Sequence, residues 1–110
     1  MTATTTTVVE MVTYKLKPQV TKTDLHASHQ GVNTFIKNQP GFLYRSVSAD
    51  ENDQWYDIVY WQDMESAKAA GDAFMASTEG QHLCSLVDMD SCFMRHMNVE
   101  SEAMSCEGAS

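Results

Sequence analysis

At 110 residues, 43% of them apolar and 20% charged, the chain has the size and composition of one soluble globular domain. Its formal charge of −8, with seven scattered basic residues, argues against non-specific nucleic-acid binding, which needs clustered Lys and Arg to neutralise phosphate. No apolar run nears the roughly 18 residues that cross a bilayer, and "MTATTTTVVE" lacks both the basic start and the apolar stretch of a signal peptide, so no membrane association and a cytoplasmic location are expected.

The first element is "TVVEMVTYKLK", rich in β-branched residues and read as a strand over about residues 7–17. Its alternation puts Glu10, Val12, Tyr14 and Leu16 on one side and Val9, Met11 and Thr13 on the other. Pro18 ends it. Thr21, three residues before Asp24, opens a helix with a capping-box pattern. Leu25, Val32, Phe35 and Ile36 recur at helical spacing as its buried stripe, which His29 shares, and Pro40-Gly41 closes it.

"GFLYRSVSA" and "QWYDIVYW", joined by the turn "DEND", predict a hairpin. Asp63 is the N-cap of a second helix whose inward stripe is Ala67, Ala70, Gly71 and Phe74, residues small enough to let it sit close on its sheet. "EGQHLCSLVD" predicts a short further helix and "SCFMRHMNV" the last strand. The domain ends near residue 99, and residues 100–110 form a flexible acidic tail.

Strand, helix, strand, strand, helix, strand is the ferredoxin-like βαββαβ order of an α+β fold: a four-stranded antiparallel sheet with helices on one face. The third strand, Trp55–Trp61, is apolar or aromatic except at Asp57, so both of its faces need cover. Helices cover one. A second copy packing sheet against sheet covers the other, and a homodimer is expected.

The stretches "VVEMVTYKLKP", "QPGFLYRS", "WYDIVYWQDMESAKAA" and "FMRHM" together resemble the antibiotic biosynthesis monooxygenase family of the dimeric α+β barrel superfamily, over about residues 8–99. The resemblance implies two sheets closing a barrel across a dimer interface, with a pocket between sheet and helices in each protomer. It also implies oxidation of small aromatic, phenol- or quinol-like molecules by dioxygen with no metal, flavin or haem. Haem-degrading members of the superfamily use an Asn, a Trp and a His. Trp61 matches that Trp, His82 falls half a turn out of register, and the Asn has no counterpart in "VVEMVTYKL".

Glu10 and Asp57 lie on strands expected at the centre of the sheet, where an isolated carboxylate protonates or finds a partner. Arg45, Arg95 and His96 are the available partners; the alternatives are a structural ion-pair network and a general base. The candidate catalytic residues are His29, Asp57 and His96; Tyr14, Arg45, Tyr60, Trp61 and Phe74 are candidates for holding the substrate. Alternation lets only one of Arg95 and His96 face the helices. Cys84, Cys92 and Cys106 make no CxxC pair and are read as two small buried hydrophobes and a tail thiol, and no HExxH or similar spacing suggests a metal site. The function expected is a cofactor-independent monooxygenase; the alternatives are a non-catalytic dimer that binds a small ligand, and a haem-binding or haem-degrading barrel.

Overall fold

In the computed structural model, which describes residues 6–105, four strands and three helices follow one another as β1 (Val8–Leu16), α1 (Lys22–Lys37), β2 (Phe42–Ala49), β3 (Trp55–Trp61), α2 (Met64–Ala76), α3 (Thr78–Leu86) and β4 (Val87–Asn98). The strands form one antiparallel sheet in the order β2-β3-β1-β4, so the two most apolar strands are central. The α+β, ferredoxin-like arrangement expected from the element order is the one observed.

Local chemistry sets the boundaries. Thr21 and Asp24 make the reciprocal capping box at the start of α1, with Asp24 N–H donating to Thr21 Oγ1 at 3.2 Å and Thr21 N–H to Asp24 Oδ2 at 2.9 Å. Asp63 accepts from Ser66 N–H at 2.7 Å to open α2. Ser77 serves two helices: its hydroxyl donates to Phe74 O at 2.6 Å and accepts from Gly80 N–H at 2.9 Å. A Cβ at Gly80 would collide with the Phe74 carbonyl, so only glycine lets α3 turn so tightly off α2. Gly41, at φ 83°, makes the left-handed turn into β2.

Two expectations shift. The last strand begins at Val87, because α3 stops at Leu86 and β-branched Val87 pairs with Leu16 of β1. A register shift between Thr13 and Lys15 accommodates the longer strand, with Ser91 Oγ accepting from Lys15 N–H at 2.8 Å and donating to Asp88 O at 2.6 Å. Cys84 and Cys92 are half-buried rather than buried; Cys106 lies outside the described residues.

Along β3, Trp55, Asp57, Val59 and Trp61 are buried beneath the helices, while Tyr56, Ile58 and Tyr60 are half-buried on the open face. The buried apolar residues fall into two clusters. One gathers Tyr14, Leu25, Val32, Trp55, Leu83 and Val87; the other gathers Val8, Val59, Trp61, Ala67 and Ala70. On α1 the buried positions are Leu25, Ser28 and Val32, with His29 half-buried at the edge of the stripe. Among the described residues no helix is long and apolar enough to cross a membrane.

Candidate functional site

Between the two apolar clusters lies a cavity of about 520 Å³. Its roof includes Ala67, Ala70 and Gly71 of α2. Their short side chains let α2 pack close on the central strands, as their size suggested, and also leave open space beside that contact.

The floor follows from strand register. Arg45 of β2 lies opposite Val59 of β3, Val59 opposite Glu10 of β1, and Glu10 opposite His96 of β4. These four residues make one cross-strand row, and all four line the cavity. With strands roughly 4.8 Å apart, the row separates Arg45 from Glu10 by roughly 10 Å at the backbone. Two polar ends thus flank an apolar middle.

At one end Arg45 is held in a fork. Its Nε donates to Asp57 Oδ1 at 3.1 Å, its Nη2 to Asp57 Oδ2 at 2.7 Å, and its Nη1 to Asn33 Oδ1 at 2.6 Å. The side chains of Arg45 and Asp57 are 4% and 11% exposed, so the ion pair is largely shielded from water. Both Asp57 oxygens are occupied.

At the other end Trp61 Nε1–H donates to Glu10 Oε1 at 3.2 Å, and His96 Nε2 stands 3.5 Å from the same oxygen. Burial pushes the Glu10 carboxyl above its ordinary value of 4.5, against the opposing pull of His96 and the Trp61 hydrogen bond. Of the strand-four pair, His96 faces the helices; Arg95 is exposed and lies opposite Met11 of the open face.

Arg45, Asp57, Trp61, Phe74 and His96 therefore converge on one cavity. Three other candidates stand elsewhere. His29 lines a separate cleft of about 270 Å³ with His26, Asn33, Val47 and Trp55, where Arg45 forms the wall shared with the cavity. Burial, the Arg45 charge and His26 all hold its imidazole below the usual histidine value. Tyr14 is core at 2% exposure, its hydroxyl without a hydrogen-bond partner among the described residues, and burial pushes its pKa well above the usual tyrosine value. Tyr60 lies on the open face beside Tyr44, ring centroids 6.5 Å apart. Asn33, which holds Arg45 from α1, carries no signal in the sequence, because its partner comes from another element.

The histidine that the haem comparison points to does not line the cavity. His82 is exposed on α3 and outside the cavity lining, and His96 is set against Glu10. Among the described residues no group of three or more His, Cys, Asp and Glu side chains is placed to hold a metal ion.

No family model matches the chain, and no curated protein matches it. Solved structures do. SnoaB, a cofactor-independent oxygenase from Streptomyces nogalater, superposes with a TM-score of 0.71 at 13% identity, over 88% of this chain and 96% of that one. The ActVA-Orf6 monooxygenase of Streptomyces coelicolor, solved in complex with nanaomycin D, gives 0.71 at 20% identity over 91% and 93%. A heme-degrading protein from Mycobacterium tuberculosis gives 0.65 at 12% identity over 92% and 99%. The chain shares their fold. The antibiotic biosynthesis monooxygenases, the family the sequence resembles, are represented among these similar structures. At such identities the likeness is one of fold, on which both oxygenation and haem breakdown occur in other proteins.

Proposed function

We propose that this protein is a cofactor-independent monooxygenase of the antibiotic biosynthesis monooxygenase type, acting on a small phenol- or quinol-like aromatic molecule. One observation carries the reading. A half-buried carboxylate, Glu10, with its acidity weakened by desolvation, faces a large, mostly apolar cavity and stands beside the half-buried His96 imidazole. Asp57 is committed to Arg45, and His29 is outside the cavity, so Glu10 and His96 are the pair best placed to take a proton.

The chemistry follows from that placement. A raised carboxyl pKa narrows the gap to a phenol or an activated carbon acid, which favours proton transfer. For an anthrone, Glu10 removes one proton from the ring CH₂ and leaves the enolate. Dioxygen takes up the enolate's electrons and adds at that carbon. The resulting hydroperoxide loses water, giving CH₂ + O₂ → C=O + H₂O. The apolar walls exclude water from the anion, Trp61 and Phe74 offer faces for a flat ring, and Arg45 can donate to a substrate oxygen through an N–H not used by Asp57 or Asn33. The proton taken by Glu10, with His96 beside it, returns to the peroxide oxygen before water is lost, so both ring hydrogens leave in that water.

The reading includes a homodimer. The open sheet face carries Met11, Tyr44, Ile58, Tyr60, Phe93 and Met97, with Phe93 69% exposed in the single chain, and a twin sheet is the partner of matching shape. Sedimentation should give twice the chain mass, and Ile58→Glu should halve it.

Oxygen uptake with a panel of hydroquinones and anthrones tests the activity. Glu10→Gln should abolish uptake while leaving ligand binding and fold in place. Uptake no faster than the uncatalysed rate in the unmodified protein, with ligands still bound, would instead make it a binding module.

A further inference from the structure

We propose that Gly71 sets the width of the ligand the cavity admits, by leaving the α2 wall bare at the mouth. The inference rests on the cavity being a ligand site, as read above. Lys68, Gly71, Asp72 and Met75 recur at helical spacing on one face of α2, and all line the cavity. Lys68, Asp72 and Met75 are exposed, Met75 at 57%, and across from them Met94 of β4 lines the same cavity at 60% exposure. Here the cavity meets water, and Gly71 stands in the middle of the rim.

Nothing in the fold requires glycine there. Gly41 has a positive φ and Gly80 has no room for a Cβ, whereas at Gly71 the backbone is ordinary helix and a Cβ would meet no atom of the described residues within 4 Å. Alanine would hold that helix turn more firmly than glycine does. What glycine provides is clearance over the cavity. An apolar cavity of about 150 Å³ takes one benzene. A cavity of about 520 Å³ has room for at least about three fused rings, and a ligand of that length lying along it would extend to the mouth beside Gly71. Narrower phenols stay inside and do not touch it.

Calorimetric titration with a two-ring naphthol and a three-ring phenanthrol tests this on the unmodified chain and on Gly71→Ala, Gly71→Leu and Ala73→Leu. Ala73 is exposed on the same helix and does not line the cavity. Gly71→Ala should raise the melting temperature by about 4 °C. It should bind naphthol as the parent does and lose about tenfold in phenanthrol affinity. Gly71→Leu should lose more, and Ala73→Leu nothing. Unchanged phenanthrol binding in both Gly71 variants, or an equal loss in Ala73→Leu, would overturn the inference while leaving the cavity reading intact. If the unmodified chain binds neither phenol, the cavity reading and this inference fall together.

Discussion

Arg45 and Asp57, diagonal neighbours on adjacent strands, are joined by two parallel hydrogen bonds of 3.1 and 2.7 Å on the cavity floor. The geometry divides the labour between the two carboxylates of that floor. Asp57 spends both oxygens on the Arg45 guanidinium, which fixes its position. Among the described residues Glu10 meets an indole N–H and an imidazole on one oxygen, so its other oxygen can face a ligand.

Asp57→Leu strands the Arg45 charge in a nearly dry site, with only Asn33 left to hold it. It should lose about 3–5 kcal/mol of stability, measured by urea unfolding. The double replacement Arg45→Met with Asp57→Leu should recover most of that. A single-site loss under about 1 kcal/mol would mean that water reaches the pair.

Glu10 gives a pH signature. Its folded-state pKa lies above the ordinary 4.5, so its contribution to stability is fully present below pH 4.5 and is lost as pH rises through the folded value. Glu10→Gln should therefore match the parent at pH 4 and become the more stable of the two toward neutrality. Oxygen uptake should rise over the same interval, with an apparent pKa above 4.5, as the base loses its proton. An uptake profile flat through this range would take the role of base away from Glu10.

Tyr14 carries a buried hydroxyl with no hydrogen-bond partner among the described residues. Tyr14→Phe should be neutral or stabilising by about 1 kcal/mol, read in melting temperature. A loss of similar size would reveal a partner such as an enclosed water.

His29→Ala should change oxygen uptake by less than about twofold, because the imidazole lines the smaller cleft and Arg45 stands between it and the cavity. A collapse of turnover with the fold intact would move the reaction to that cleft.

Periodicity made much of the fold legible. Alternation in β1 placed Glu10, Val12, Tyr14 and Leu16 on one shared face, which the structure turns toward the helices, and the capping signals at Thr21 and Asp63 marked two helix starts. Side-chain direction along a strand is fixed by the pleat, and a cap is made within a few residues, so neither needs tertiary information. The candidate site was legible only in part. Trp61, Phe74, Arg45, Asp57 and His96 reach one cavity, but His29, at the expected helical spacing, turns to another cleft. A helix face is about a hundred degrees wide, and which edge of it meets the cavity depends on how the helix is rolled on the sheet.

By itself the sequence determined the order of elements, the two central strands and which residues of each strand share a face, because those follow from local geometry. Only the tertiary structure decided that Arg45 belongs to Asp57 and Asn33, that His96 rather than Arg95 turns toward Glu10, and that the small residues of α2 roof a cavity. Strand register and helix placement bring together residues dozens of positions apart, and the free energies that fix them come from contacts that no single stretch of chain contains.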